Sequence, residues 1–103
     1  MDINFHAHHA VISERLRTRA SRAIDRYSER FPFAVGATVL FEQDGPHRRV
    51  EIVVYGRQSR RWVAEGAGRT YGPALTAALA HLETQLAHGK RTVKDRAQLA
   101  RRA

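Results

Sequence analysis

The sequence predicts a two-layer α+β domain, in which both helices cover one face of a four-stranded β-sheet. Three observations lead to this prediction. Alternating apolar residues mark four short strands, apolar residues at helical spacing mark two helices, and turn-forming residues separate these segments in the order β-α-β-β-β-α. The apolar faces of all six elements can be buried together only if both helices lie on the same side of one sheet. The length of 103 residues suits a single domain.

The first third of the chain contains a strand and a helix. Apolar residues alternate with polar ones at the start, which predicts a strand over about residues 2–7. Ser13 is a favourable N-cap, so a helix is predicted to follow it and to run to about Phe31, where Pro32 ends it. If the first strand pairs in parallel with the next one, at 34–42, the unit is a right-handed βαβ crossover.

The middle of the chain is predicted to form a hairpin and a third consecutive strand. The turn sequence QDGPH separates strand 34–42 from a strand at 48–55. Gly56 to Ser59 turn the chain again, and 60–66 forms the last strand. The side chains expected to face the helices alternate along these strands: Val35, Ala37, Val39, Phe41, Val50, Ile52, Val54, Trp62 and Ala64.

A second helix completes the predicted domain, which spans residues 1–89. Three glycines predict a loop before this helix: Gly66, Gly68 and Gly72. Pro73 suits its first turn, and Gly89 is predicted to end it. Residues 90–103 form a basic tail that either extends as a helix or stays disordered. Leucines at helical spacing give the helix its apolar face: Leu75, Leu79, Leu82 and Leu86.

The charge balance indicates a polyanionic partner. Eighteen lysines and arginines against ten aspartates and glutamates give a net charge of +8 and a pI near 11.2. Such a basic domain attracts nucleic acid or an anionic membrane. The absence of cysteine excludes disulfides and thiolate metal sites and is consistent with a reducing cytosol. No segment approaches the roughly 18 apolar residues that a membrane-spanning helix needs, and the N-terminus does not resemble a secretory signal.

The first helix carries a one-sided row of like charges. At about 100° per residue, five of its arginines fall within an arc of roughly 80°, so like charges meet at spacings of three and four, which costs a few tenths of a kcal/mol per pair. This repulsion favours an anionic partner over a plain charged surface. Nucleic acid is favoured over a membrane, because the apolar face of the helix is needed to cover the sheet. The row comprises Arg15, Arg19, Arg22, Arg26 and Arg30.

Other residue patterns do not predict catalysis or a metal site. His6, His8 and His9 lack a third ligand placed by sequence, so they are interpreted as exposed histidines of an edge strand. The glycines of EGAGRTYG lack the lysine and hydroxyl residue of a phosphate-binding loop. Trp62 and Phe41 are interpreted as core residues rather than stacking platforms. We therefore expect no cofactor, no enzymatic activity, no small-molecule substrate and no membrane partner.

Short motifs along nearly the whole chain resemble, in order and spacing, those of a known family. The opening MDIN is similar to a family start M-x-x-N-I, and VISERLR to V-E-I-T-x-A-L-R. RVEIVVYG and WVAEG resemble the third and fourth strands of the family. Tyr71 with the helix after it resembles D-M-Y-A-A-I-D-x-x-x-D-K-L-x-R-Q-L. The family is that of ribosome hibernation promoting factors and ribosome-associated translation inhibitors.

The resemblance implies a function and a set of contact residues. Family members bind 16S rRNA in the mRNA/tRNA channel of the small subunit, which implies a cytoplasmic factor that blocks translation and preserves idle 70S ribosomes under stress. Arg17 and Arg26 match basic family positions, whereas His81 and Thr84 replace basic residues of the second helix. The implied contacts therefore shift toward the first helix and the tail. The predicted rRNA-binding residues are Arg15, Arg17, Arg19, Arg22, Arg26, Arg30, Lys90, Arg91, Lys94 and Arg96.

Two further expectations follow, together with two alternatives. The C-terminal dimerisation domain of the long family form has no counterpart in these 103 residues, so we expect a short form that is a monomer off the ribosome. The main alternative is a generic module for double-stranded RNA, because two helices over a sheet also suit recognition of an A-form backbone. A small enzyme or ligand-binding α+β protein is the remaining alternative, but the sequence indicates no pocket with converging polar groups.

Overall fold

The elements follow one another in the predicted order. The computed structural model describes the backbone of residues 1–102 and the side chains of residues 1–89. Each strand and helix lies within a few residues of its predicted start. The elements are β1 Asp2–His8, α1 Glu14–Arg30, β2 Ala34–Asp44, β3 His47–Gly56, β4 Arg61–Gly68 and α2 Tyr71–Arg102.

The four strands form one mixed sheet in the order β1-β2-β3-β4. β1 pairs in parallel with β2, and the other two pairs are antiparallel. The register places one apolar row across the sheet, in which Phe5 lies beside Val39, Val39 beside Ile52, and Ile52 beside Ala64. Because side chains alternate between faces, this row defines the face of the sheet that the helices cover.

Both helices contribute to a single core on that face, which confirms the predicted two-layer α+β fold. Ile24 of α1 and Leu82 of α2 are fully buried in the same cluster as Phe41 and Ile52 of the sheet. Burying a side chain of this size contributes about 1.5–3 kcal/mol, so these residues hold the helices on the sheet. The largest fully buried side chains are Phe31, Phe41, Ile24, Ile52, Leu75, Leu82, Leu86, Val39, Val50 and Val54.

Both ends of α1 are set by the residues that the sequence indicated. The Ser13 hydroxyl accepts a hydrogen bond from the Leu16 amide at 3.2 Å, as an N-cap does. At the other end, the Phe31 amide donates to the Tyr27 carbonyl at 2.8 Å, and Pro32 follows. The start and the end of α1 are therefore fixed by local sequence, while its buried residues Ala20, Ala23 and Ile24 set the orientation of the arginine row.

The predicted inward orientation of Val35 is wrong. Its side chain is 45% exposed, whereas Ala34 is buried. The pairing of β2 with β3 shifts register between Ala34 and Gly36, and such an irregularity reverses the alternation of side chains on one side of it. The other predicted inward residues of the sheet are buried or packed against the core.

The prediction that glycines form a loop and end the second helix is also wrong. Gly66 and Gly68 belong to β4, Gly72 lies in α2, and α2 continues through Gly89 to Arg102. A Cβ on Gly66 would clash with the Ala74 carbonyl and lie 2.5 Å from the Ala78 amide nitrogen, and one on Gly89 would lie 2.8 Å from the Trp62 ring. Both glycines permit close packing, so they do not break the element that contains them.

The length of α2 does not make it a membrane helix. None of the helices within the described residues combines the length and the apolar character needed to cross a bilayer.

Candidate nucleic-acid interface

The five arginines of the predicted row are exposed on one side of α1. The apolar side of the same helix is fixed on the sheet by Ala20, Ala23 and Ile24, which are all buried. Two arginines of the row contact α2, Arg19 at Gly72 and Arg30 at Glu83, so the row runs along the seam between α1 and α2. The row consists of Arg15, Arg19, Arg22, Arg26 and Arg30, and all five are exposed.

Most of the row lines an open groove of about 400 Å³. Its lining consists of four arginines and Thr18, and it includes no carboxylate. Guanidinium groups provide planar arrays of N–H donors that match phosphate oxygens. The groove therefore offers several phosphate-binding groups without a competing internal anion. Its arginines, which we call the groove arginines, are Arg15, Arg19, Arg22 and Arg26.

Arg19 also connects the groove to the start of α2. Its guanidinium donates to the Gly72 carbonyl at 3.2 Å and to the Thr76 hydroxyl at 2.5 Å. The Thr76 hydroxyl donates in turn to the same carbonyl at 3.1 Å. These bonds hold Arg19 in place, whereas Arg15, Arg22 and Arg26 form no hydrogen bond or ion pair among the described residues and are available to a ligand.

Arg30 lies outside the groove and pairs with an acid of α2. Its guanidinium lies 2.6 Å from the Glu83 carboxylate, and both side chains are about half exposed, at 57% and 45%. An exposed pair of this kind contributes only about 0–1 kcal/mol to stability. Glu83 therefore mainly neutralises one end of the arginine row.

Replacing Glu83 with glutamine should tighten RNA binding without a large change in stability. Loss of one negative charge at the seam frees Arg30 for a phosphate, and we expect roughly a two- to fivefold gain in affinity for a short RNA duplex at low salt. The free energy of unfolding should change by less than about 1 kcal/mol. Fluorescence anisotropy of labelled RNA and urea unfolding measure the two quantities. Weaker RNA binding by Glu83→Gln would contradict this role.

The remaining predicted contact residues are Arg17 and four residues of the tail. Arg17 lies beside Ile12 and Glu14, away from the groove arginines. Arg17, which the family resemblance indicated, therefore lines a separate depression from the groove arginines. The predicted tail residues lie outside the side chains that the structure describes: Lys90, Arg91, Lys94 and Arg96.

The uncovered face of the sheet has the opposite character. Arg49 lies near three carboxylates on this face, 3.4 Å from Glu42, 3.5 Å from Glu51 and 3.8 Å from Glu65. His8 adds a contact of 3.8 Å to Glu42. Three carboxylates around one guanidinium leave a local excess of negative charge. A polyanion is therefore favoured on the helix side of the domain and disfavoured on this side.

The histidines near the N-terminus do not assemble a metal site. The rings of His8 and His9 are 4.4 Å apart, and His8 faces Glu42. Within residues 1–89, whose side chains are described, no group of three or more His, Cys, Asp or Glu residues is placed to hold a metal ion.

Two tyrosines near the seam differ in how their hydroxyl groups are satisfied. The Tyr27 hydroxyl donates to the Leu79 carbonyl at 3.2 Å and so links the two helices. The Tyr71 hydroxyl is buried and has no hydrogen-bond partner among the described residues. Burial raises the pKa of both phenols, since it disfavours the charged phenolate.

This difference predicts opposite effects of removing the two hydroxyl groups. Tyr71→Phe removes an unsatisfied polar group and should leave stability unchanged or raise it by up to about 1 kcal/mol, whereas Tyr27→Phe should lower it by about 1 kcal/mol. An unfolded phenol ionises near pH 10, while each folded one retains its proton to a higher pH. Stability should therefore fall above about pH 10, less steeply in either variant. Urea unfolding at pH 7 and pH 10.5 tests both points.

One basic segment was not predicted to contribute to the site. Arg57, Arg60 and Arg61 surround the turn between β3 and β4, and none of them was assigned a role. Three arginines in the five residues RQSRR were a visible signal in the sequence. The sequence predicted a turn at Gly56 to Ser59 and a strand from Arg60, and it assigned no function to these arginines.

The sequence matches one protein family over nearly its whole length. Residues 3–94 match the model of the sigma-54 modulation protein / S30EA ribosomal protein family. The chain belongs to this family. This confirms the resemblance to ribosome hibernation factors, and it places the S30EA chain with ribosome-associated proteins of a non-enzymatic type.

Solved structures match the fold of this S30EA chain. A ribosomal subunit interface protein from Coxiella burnetii superposes with a TM-score of 0.81 at 19% identity, covering 88% of this chain and 99% of that one. The N-terminal domain of Protein Y from Thermus thermophilus superposes with a TM-score of 0.71 at 23% identity, covering 84% and 96%. At these identities the matches establish the fold. No curated protein matches the sequence significantly.

Proposed function

We propose that this protein is a ribosome hibernation factor that binds 16S rRNA through the groove arginines and Arg30. It occupies the mRNA/tRNA channel of the small subunit in the cytoplasm, blocks translation and preserves idle 70S ribosomes under stress. It acts without catalysis or a cofactor and is a monomer off the ribosome.

The observation that carries the proposal is the arginine groove itself. Four arginines line one open depression without a carboxylate in its lining, on a helix that Ser13 and Phe31 fix at both ends. Such a row binds phosphates and releases counterions, and it does not read base sequence. That chemistry fits the backbone of a structured RNA.

Family membership supports the ribosome as the source of that RNA. The Coxiella protein is described as a ribosomal subunit interface protein, and its fold covers most of this chain. Predicted tail residues Lys90, Arg91, Lys94 and Arg96 would add phosphate contacts beyond the groove, while Arg17 would contact a separate part of the rRNA. Arbitrary duplex RNA is the alternative ligand, because the groove contains no feature that reads sequence.

Sedimentation with purified ribosomal particles tests the proposal. The wild-type protein is centrifuged with 30S subunits, with 70S ribosomes and with a duplex RNA of arbitrary sequence, at about 50 mM and about 300 mM salt. We expect binding to 30S and 70S particles that weakens steeply with salt. Added tRNA and mRNA should displace the protein from the 30S subunit if it occupies their channel.

The outcomes separate the two ligands. Preferential binding to 30S subunits, reversed by tRNA or mRNA, supports a hibernation factor. Equal affinity for the arbitrary duplex, without competition by tRNA, supports a generic module for double-stranded RNA. Failure to sediment with either ribosomal particle at low salt refutes the ribosomal proposal.

A further inference from the structure

The turn between β3 and β4 is held in an unusual and well-defined conformation. Gln58 and Ser59 have φ angles of 61° and 62°, and the Arg60 amide donates to the Arg57 carbonyl at 3.3 Å. This is a type I′ turn, which normally contains asparagine and glycine at these two positions. The Gly56 amide donates to the Arg60 carbonyl at 2.7 Å, which closes the end of the hairpin. The flanking arginines are therefore presented from a fixed backbone.

None of the three turn arginines is neutralised within the described part of the chain. Arg57, Arg60 and Arg61 take part in none of the ion pairs that its residues form. Arg57 and Arg61 are exposed. Three cations within five residues repel one another, so this end of the sheet carries a concentrated positive charge without an internal partner.

Arg60 differs from its neighbours because it lies on an aromatic ring. Its guanidinium carbon lies 5.3 Å from the centre of the Trp62 ring. That ring is held by Phe33, at 5.1 Å between centres, and by the close approach of Gly56 and Gly89, where a Cβ would lie 2.8 Å from it. The Arg60–Trp62 stack is cationic, and Arg57 and Arg61 flank Arg60 in the sequence.

An aromatic chain connects this end of the domain with the arginine row. Phe33 lies 5.9 Å from Phe31, and the guanidinium of Arg30 lies 5.0 Å from the centre of the Phe31 ring. The last arginine of the row and the turn are therefore linked through Phe31, Phe33 and Trp62. The two basic regions therefore belong to one packed unit of the domain.

We propose that the β3–β4 turn is a second RNA-contact site, which binds an unpaired segment of RNA. Arg57 and Arg61 bind its phosphates, and the Arg60–Trp62 stack receives a base. Bases in single strands stack on aromatic rings and on guanidinium planes, and unstacked segments are where proteins bind RNA bases. The inference depends on the proposed function only in that the ligand of the protein is RNA.

The same surface is poorly suited to a membrane. The tip of the turn consists of Gln58 and Ser59, which offer no apolar side chain to insert below lipid headgroups. The ring of Trp62 is held within the fold by Phe33 and two glycines, so it is not free to enter a bilayer.

The tryptophan provides a direct test, because Trp62 is the only one in the chain. Its fluorescence is measured while a single-stranded RNA decanucleotide, a ten-base-pair RNA duplex or phosphatidylserine vesicles are added. We expect quenching by the single strand and little by the duplex. Arg57→Gln with Arg61→Gln should weaken single-strand binding roughly tenfold or more, and Arg60→Gln should reduce the quenching more than the affinity. The double variant Asn4→Asp with Gln43→Glu is the control, because it lowers the net charge by the same two units at other positions.

The outcomes distinguish this site from the arginine groove. The inference is overturned if the single strand binds without altering the Trp62 emission and the double variant Arg57→Gln with Arg61→Gln binds it as tightly as the wild type does. It is also overturned if only the vesicles quench the Trp62 emission. Quenching that persists in Arg22→Gln with Arg26→Gln supports a separate site. If the wild type shows the quenching but never sediments with ribosomes, this site stands and the ribosomal function fails.

Discussion

Replacing Arg22 and Arg26 together with glutamine is expected to weaken binding to the 30S subunit by roughly ten- to a hundredfold at about 0.1 M salt. Both side chains line the groove and form no hydrogen bond or ion pair among the described residues, so the change should remove two candidate phosphate-binding groups while the helix stays capped and packed. The slope of log affinity against log salt should decrease by about two. Sedimentation or filter binding at four salt concentrations measures both effects.

A charge-matched variant separates local contacts from net charge. Asn4→Asp with Gln43→Glu lowers the net charge by the same two units at exposed positions of β1 and β2. We expect this variant to retain most of the affinity, because its substitutions lie outside the groove. Equal losses in both double variants would mean that the groove arginines make no specific contact, and binding would then follow from the net charge alone.

Gly66→Ala should be the most destabilising single methyl addition in the described part of the chain. The added Cβ would clash with the Ala74 carbonyl and lie 2.5 Å from the Ala78 amide nitrogen, and these backbone atoms cannot move unless α2 moves away from β4. Overpacking costs about 1–3 kcal/mol and sometimes more, and we expect about 3 kcal/mol or complete unfolding. A domain of this size has only about 5–15 kcal/mol of stability.

Gly72→Ala is the matched control for this effect. It adds the same methyl group to a glycine of α2, where a Cβ would have no neighbour within 4 Å. Gly72 lies in the first turn of α2, where the helix propensity of the interior does not apply, so we expect a change within about 0.5 kcal/mol. Urea unfolding followed by circular dichroism compares the two variants. If Gly66→Ala is as stable as the wild type, α2 does not approach β4 as closely as the structure indicates.

The sequence predicted the order of the elements because their boundaries depend on local signals. Ser13 and Pro32 bound α1, and alternation along the strands placed Val39 and Ile52 in the core. Val35 was assigned to the wrong face because the shift in pairing between β2 and β3 cannot be seen in the apolar pattern of the β2 sequence. The roles of Gly66 and Gly89 were missed for a related reason. A glycine that allows another element to pack closely cannot be distinguished by sequence from a glycine that ends an element.

In the candidate site, the position of the arginine row could be predicted from the sequence, whereas its contacts with α2 could not. Helical spacing placed five arginines on one side of α1, and the structure agrees. The bonds of Arg19 to Thr76 and of Arg30 to Glu83 join residues 57 and 53 positions apart, so only the packing of two helices could reveal them. The contact of Arg60 with Trp62 could not be predicted either, because Phe33 and Gly89, which position the Trp62 ring, are distant from it in sequence.

The carboxylates around Arg49 have a consequence for the speed and direction of binding. They lie on one face of the molecule, and the groove arginines lie on the other side of the sheet, so the domain is electrically polar. If the ligand is RNA, as proposed, the field of its phosphates should turn the helices toward it and the sheet away from it before contact. Fewer collisions are then wasted in the wrong orientation, and such steering raises association rates by about 10- to 1,000-fold at low ionic strength. Carboxylates outside the proposed RNA interface would thereby affect how often the protein binds RNA.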